Sequence, residues 1–206
     1  MKKILLGVAA SVLCAAAGAE ERGPLMDFLH GTYNGGAFGH TTVSKYCEGA
    51  YICNDQQDVS FKVYGGLRLT DYLGQELGFI SFGRIRSLSG GGISSPVHEL
   101  STRTNGFVLN LAPRFALSPN TTVIGRFGVA RLHIEGHDGT TEISESKTAP
   151  YIGAAFNYKV GAFVPNMLQP LLKTLAVEMA WDAAKTEIGQ TDHWFNMISV
   201  GTSLEF

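Results

Sequence analysis

Apolar and polar residues alternate with a period of two along most of the chain after residue 30. In "VSFKVYGGLRLT", Val59, Phe61, Val63, Gly65, Leu67 and Leu69 share one face, and Ser60, Lys62, Tyr64, Gly66 and Arg68 share the other. Further on, Phe107, Leu109, Leu111, Pro113 and Phe115 oppose Val108, Asn110, Ala112 and Arg114. Leu175, Val177, Met179 and Trp181 likewise oppose Thr174, Ala176, Glu178, Ala180 and Asp182. Such alternation marks a strand with two unlike faces. Eight runs of this kind are predicted: Thr32–Val43, Val59–Thr70, Gln75–Ser87, Asn105–Leu117, Thr122–Gly136, Tyr151–Phe163, Leu171–Thr186 and Phe195–Phe206. In the last run, Ile198, Val200, Thr202, Leu204 and Phe206 oppose Ser199, Gly201, Ser203 and Glu205.

The segments between runs alternate in length. "DYLG", "SPNT" and "VPNMLQP" are short and carry turn residues, whereas "SKYCEGAYICNDQQD", "LSGGGISSPVHELSTRT" and "HDGTTEISESKTAP" are long and polar. That rhythm predicts an up-and-down sheet with its long loops at one end. Alternation alone fits two arrangements. A soluble barrel or sandwich turns its apolar face inward; a membrane barrel turns it toward lipid and keeps charges inside. Runs of about 12 residues exceed the ~5–6 of an ordinary soluble strand and fit a tilted span of ~9–11. The polar face is rich in Gly and Ala, as a narrow interior requires. Its charges come in both signs: Lys62, Arg68, Arg84, Arg114, Arg126 and Lys159 against Glu76, Glu178, Asp182 and Glu205. Paired charges offset one another's desolvation. The expected fold is therefore all-β, an eight-stranded antiparallel up-and-down transmembrane β-barrel with these ten side chains inside. Tyr72, Phe115, Phe163 and Phe206 are expected at one membrane boundary, and Trp194, Phe195 and Trp181 at the other. Two runs break the pattern: Ser81 and Gly83, then Arg131 and His133, fall on nominally lipid-facing positions.

The N-terminus adds a compartment. Lys2 and Lys3 precede an apolar run from Ile4 to Ala17, and Ala17-Gly18-Ala19 fits a small-x-small cleavage site. Residues 1–19 are expected to be a secretory signal peptide and residues 20–206 the barrel domain. Removing two lysines leaves 14 of the 16 basic residues against 18 acidic ones, with no basic patch that would track nucleic-acid phosphates. Cys47 and Cys53 are then the remaining cysteines, and in an exported chain they are expected to form a disulfide. The loop "CEGAYIC" is small, so its closure contributes on the order of 2 kcal/mol.

The stretch "CNDQQDVSFKVYGGLRLTDYLGQELGFISFG" resembles the second and third strands of the outer membrane protein A-like transmembrane barrel family. "TTVIGRFGVARL" resembles its fifth strand, "APYIGAAFNYKV" its sixth and "VGTSLEF" its last. The resemblance implies a closed barrel in the bacterial outer membrane with a polar, largely plugged interior. Family members often carry a periplasmic peptidoglycan-binding domain after the barrel, and none is expected here. Gly201, Leu204 and Phe206 also resemble the C-terminal signal read by the outer-membrane assembly machinery; Val200 stands where a polar residue is common. The expected partners are outer-membrane lipids and lipopolysaccharide, the assembly machinery, and a host or surface ligand met through the external loops. A monomer without cofactor is expected.

Candidate chemistry is sparse. "RLHIEGHD" gathers His133, Glu135, His137 and Asp138 where the fifth run enters a loop, and "GHTTVS" offers His40 with Ser44. A lipid hydrolase needs a nucleophile, a His base and an acidic orienter, and no Ser follows His133 at the H-x-S spacing associated with barrel lipid A deacylases. The expectation is polar residues at a membrane rim, with no catalytic, metal or cofactor residues. A lipid-modifying barrel enzyme and a soluble periplasmic carrier are the alternatives.

Overall fold

A computed structural model describes residues 31–44, 59–89, 98–138, 141–160, 174–188 and 191–205. Cys47, Cys53, His137, Phe163, Phe206 and the segment through Ala17 and Ala19 carry expectations that lie outside the described residues or side chains. The eight strands are β1 (Thr32–Val43), β2 (Val59–Thr70), β3 (Leu73–Ser89), β4 (His98–Ser118), β5 (Thr121–Asp138), β6 (Thr141–Lys159), β7 (Leu175–Ile188) and β8 (Thr191–Glu205). Each pairs antiparallel with its neighbours in sequence, and β1 pairs with β8 from Tyr33↔Glu205 to Val43↔Phe195, closing the barrel. A closed sheet has no edge and leaves its backbone groups paired within the wall.

The two faces separate as alternation requires. Phe107 is 62% exposed and Leu77 61%, while the adjacent Val108 and Glu76 are buried. Phe38, Leu67, Leu109, Leu111, Phe127, Val129, Met179, Ile198 and Val200 extend the same exposed apolar band around the wall. Phe38, Phe61, Phe79 and Phe107 form a girdle across β1 to β4, with successive ring centroids 6.5, 5.9 and 5.4 Å apart.

One irregularity redirects β3. Register shifts between Ser81 and Gly83, and Gly83 has φ 78°, a left-handed conformation natural to glycine. Ile80 points inward before this bulge, Phe82 is buried within it, and Ile85 points inward after it. Arg84 is thereby turned outward, opposite Arg103, and is exposed. This corrects the expectation that Arg84 is an interior charge. β5, by contrast, keeps an unbroken register with β6 through Asp138, so Arg131 and His133 face outward in phase.

Loop lengths also differ from expectation. β5 and β6 run on to Asp138 and Thr141 and use most of "HDGTTEISESKTAP" as strand, just as β4 begins within the preceding polar segment, at His98. β6 is described to Lys159 and β7 from Leu175, and the short connection expected at "VPNMLQP" lies outside the described residues. Strand length, more than loop length, distinguishes the two ends. At the end away from the start of β1, the pairing of β3 with β4 reaches Ser89↔His98 and that of β5 with β6 reaches Asp138↔Thr141. The β6–β7 register starts only at Tyr151↔Ala184, and the β2–β3 register reaches only Phe61↔Ser81. β3 to β6 thus rise as a four-stranded wall above the closed ring.

Inside, large and small residues interlock across the strands. The Tyr33 ring lies over Gly66 and Gly74, where an added Cβ at Gly74 would meet Tyr33 Oη at 2.6 Å. The Tyr64 ring covers Gly35 in the same way, with Oη 2.5 Å from a would-be Cβ. Gly66→Val is therefore expected to lower stability by about 1–3 kcal/mol through overpacking. Denaturant unfolding of the refolded barrel, followed by heat-modifiable gel migration, checks this.

Candidate functional site

The interior polar side chains converge from different strands on one buried network. Lys62 on β2 places Nζ 2.6 Å from Asp182 Oδ2 and 3.6 Å from Glu178 Oε1, both on β7. Arg126 on β5 reaches Glu76 on β3 at 2.8 Å and Glu178 at 3.0 Å. These strands are not neighbours, so the bonds cross the lumen. Each carboxylate also accepts a tyrosine hydroxyl. Tyr33 donates to Glu76 at 3.2 Å, Tyr64 to Glu178 at 2.5 Å, and Tyr151 to Asp182. The guanidinium of Arg126 stands 4.9 Å from the Tyr64 ring centre, within cation–π range.

A second group sits nearer the end where β1 begins. Glu205 accepts Arg68 at 2.6 Å and Arg114, with Lys159 at 3.7 Å. Arg114 also lies 4.7 Å from the Tyr33 ring centre, linking the two groups. Apart from Arg84, the charged side chains expected inside take part in these two groups, but Arg68 and Lys159 do so from the open end, with 39% and 42% of the side chain exposed. The tyrosines complete the network. For Tyr64 and Tyr151 the signal was present in the sequence, because they share the parity of Lys62 and Lys159, whereas β1 carries no charge to mark the face of Tyr33; a ring on a polar face is in any case not by itself a hydrogen-bond donor to a named acid.

Toward the tall end the lumen changes character. Ile80, Phe82, Ile85, Val108, Leu132, Phe195 and Met197 pack with Ala130, Ala149, Tyr151 and Ala184 into an apolar cluster. Phe195 is fully buried there, 5.5 Å from the Phe82 ring centre, and not at the membrane boundary as expected. Trp181 does face outward, 40% exposed. Tyr72 and Phe115 are exposed on the outer surface at the opposite end.

The outer face of the tall end is polar. Arg131 donates to Thr148 Oγ1 at 3.1 Å. His133 places Nδ1 3.1 Å from Ser146 Oγ and Nε2 3.4 Å from Glu135 Oε1. Cross-strand pairing of His133 with Ser146 supplies the serine that local spacing does not. Ordered as nucleophile, base and orienter, these groups are exposed on the wall of a sheet whose neighbouring amides are spent on the ladder, so they lack the convergent N–H donors of an oxyanion hole. His40 is exposed on β1, on the outward side. No group of three metal-ligating side chains occurs among the described residues.

Removing one partner from the crowded interior strands the rest. Arg126→Leu leaves Glu76 without its cation and Glu178 with only Lys62, and is expected to cost roughly 3–5 kcal/mol. Lys147→Ala, on the exposed wall, is expected to stay within about 0.5 kcal/mol. Parallel denaturant titrations of the two variants test the contrast.

The fold has counterparts among solved structures. Neisserial surface protein A is 13% identical, with a TM-score of 0.54 over 85% of this chain and 97% of that one. The N-terminal β-barrel domain of Pseudomonas aeruginosa OprF is 14% identical, with a TM-score of 0.49 over 85% of this chain and 98% of that one. The first of these shows a shared barrel fold. No curated protein matches the chain in sequence. The outer membrane protein beta-barrel domain family matches residues 5–206. With an eight-stranded closed ring, an exposed apolar band and a charged interior in view, the chain belongs to that family of outer-membrane β-barrels.

Proposed function

We propose that this protein is a non-enzymatic integral outer-membrane barrel that contributes to envelope integrity and to surface interaction such as adhesion. One observation carries the reading: the β3–β6 wall rises past the closed ring and turns exposed polar side chains to its surroundings, including Arg84, Arg103, Glu135, Glu142 and Ser144. A barrel whose lumen is filled by ion pairs and an apolar cluster offers its chemistry on this wall rather than through a bore. In this reading the tall end faces the exterior, and the end holding Glu205 faces the periplasm. Export by the 1–19 signal peptide, a Cys47–Cys53 disulfide, assembly through Gly201, Leu204 and Phe206, and function as a monomer belong to the same proposal.

A second reading, a lipid-modifying enzyme, is favoured by the contact of His133 with Ser146 and Glu135. The two make different predictions. An epitope inserted between Gly139 and Thr140 is expected to be stained on intact cells; staining only after permeabilisation sinks the proposed orientation. The lipid A and phospholipid acyl profiles of cells carrying Ser146→Ala are expected to equal those of the parent. A profile that changes with this substitution establishes the enzymatic reading instead.

A further inference from the structure

We infer that the outer wall of β3 to β6 carries a binding site for the phosphorylated-sugar headgroup of an outer-leaflet glycolipid. The inference rests on the outer-membrane placement proposed above. Its starting point is an electrostatic conflict. Arg84 and Arg103 are directly paired across strands, exposed on the same outward face. Like charges in that position repel, and neither arginine forms an ion pair among the described residues. The Gly83 bulge is what creates the conflict, since regular pairing would have sent Arg84 inward.

The surroundings specify more than an anion. Arg84, Ser101, Arg103, Glu135, Glu142 and Ser144 line an open groove of about 450 Å³. Two guanidiniums present planar sets of donors that match phosphate oxygens. The carboxylates of Glu135 and Glu142 are acceptors, and would repel a bare phosphate. A sugar phosphate satisfies both halves of the groove: its phosphate takes the arginines, and its hydroxyls donate to the carboxylates.

The vertical order on the wall fits an amphiphile. Leu109 and Val129 are paired and exposed on the apolar band. Phe107 is paired with Arg131 in the next outward-facing row, at the upper border of that band. Arg103 is paired with Glu135 four residues further along each strand, roughly 13 Å above at ~3.3 Å per residue. Acyl chains would lie on Leu109, Val129 and Phe107. A phosphate near the hydrocarbon border would meet Arg131, and the sugar phosphate above it would meet Arg84 and Arg103.

The test uses the folded full-length barrel in detergent, with bisphosphorylated lipid A as probe and binding read by native mass spectrometry. Arg84→Gln/Arg103→Gln is expected to weaken binding at least tenfold, Arg131→Gln to weaken it severalfold, and Lys185→Gln, on β7 outside this wall, to leave it unchanged. Dephosphorylated lipid A is expected to bind the parent as weakly as lipid A binds the double variant. Equal affinity of the parent and the double variant overturns the site. So does equal affinity for dephosphorylated lipid A, or full displacement by millimolar inorganic phosphate, which identifies a plain anion site. Heat-modifiable migration and insertion into outer-membrane lipid vesicles are measured on the same samples. Failure of the parent to insert defeats the membrane reading itself, whereas insertion with unaltered binding in the variants defeats only the headgroup site.

Discussion

A peptide group in hydrocarbon finds no water to bond with, so a spanning sheet must satisfy its amides and carbonyls within itself. The β1–β8 pairing meets that demand. Most other features follow from it. Closing eight strands leaves a narrow lumen, and period-two geometry sends every second side chain into that space. Small residues are needed wherever a ring crosses it, as at Gly35, Gly66 and Gly74 beneath Tyr64 and Tyr33. Charges are tolerated there only in compensated groups, and the three buried carboxylates each have both a cation and a tyrosine hydroxyl within reach.

The same closure explains where regularity can be relaxed. Within the ring, a slipped register would turn apolar side chains inward. Above the ring, the wall of β3–β6 faces no such constraint. The Gly83 bulge sits at this transition, and the outward residues change there from Leu and Phe to Arg, His and Ser. On the far side of the wall, Lys147 donates to the Glu187 carbonyl at 2.8 Å, a side-chain contact spanning the gap where the β6–β7 ladder no longer runs.

Much of this was legible in the sequence because period two is a strong local signal. Val59–Thr70 has the bounds and faces that alternation gives it. What escaped was non-local. A single inserted residue reverses parity, and although Ser81 and Gly83 mark a break in the alternation of "FISFGRIRS", the break alone does not give the outward turn of Arg84 beyond it. Polar strand above a membrane looks like loop, because Ser, Thr and Glu favour neither hydrocarbon nor a core, and "EISESKT" carries no apolar face to mark it as strand. The pairing of His133 with Ser146 and of Tyr151 with Asp182 depends on strand register, which intervening loop lengths do not encode. Phe195 was misplaced for a related reason: aromatic residues serve equally at an interface or in a plug, and parity relative to Met197 and Ser199 decides between them.

The apolar cluster around Phe82 and Phe195 has a consequence for electrical behaviour. An ion that entered from the Glu205 end would find oppositely charged partners along the lower lumen, then a section lined by Ile80, Val108, Leu132 and Met197 that offers no charge. Leaving the first region for the second means shedding both hydration and ion-pair partners in a low-dielectric constriction. The two halves of the lumen thus stand in series, the lower one offering an ion partners and the upper one offering none.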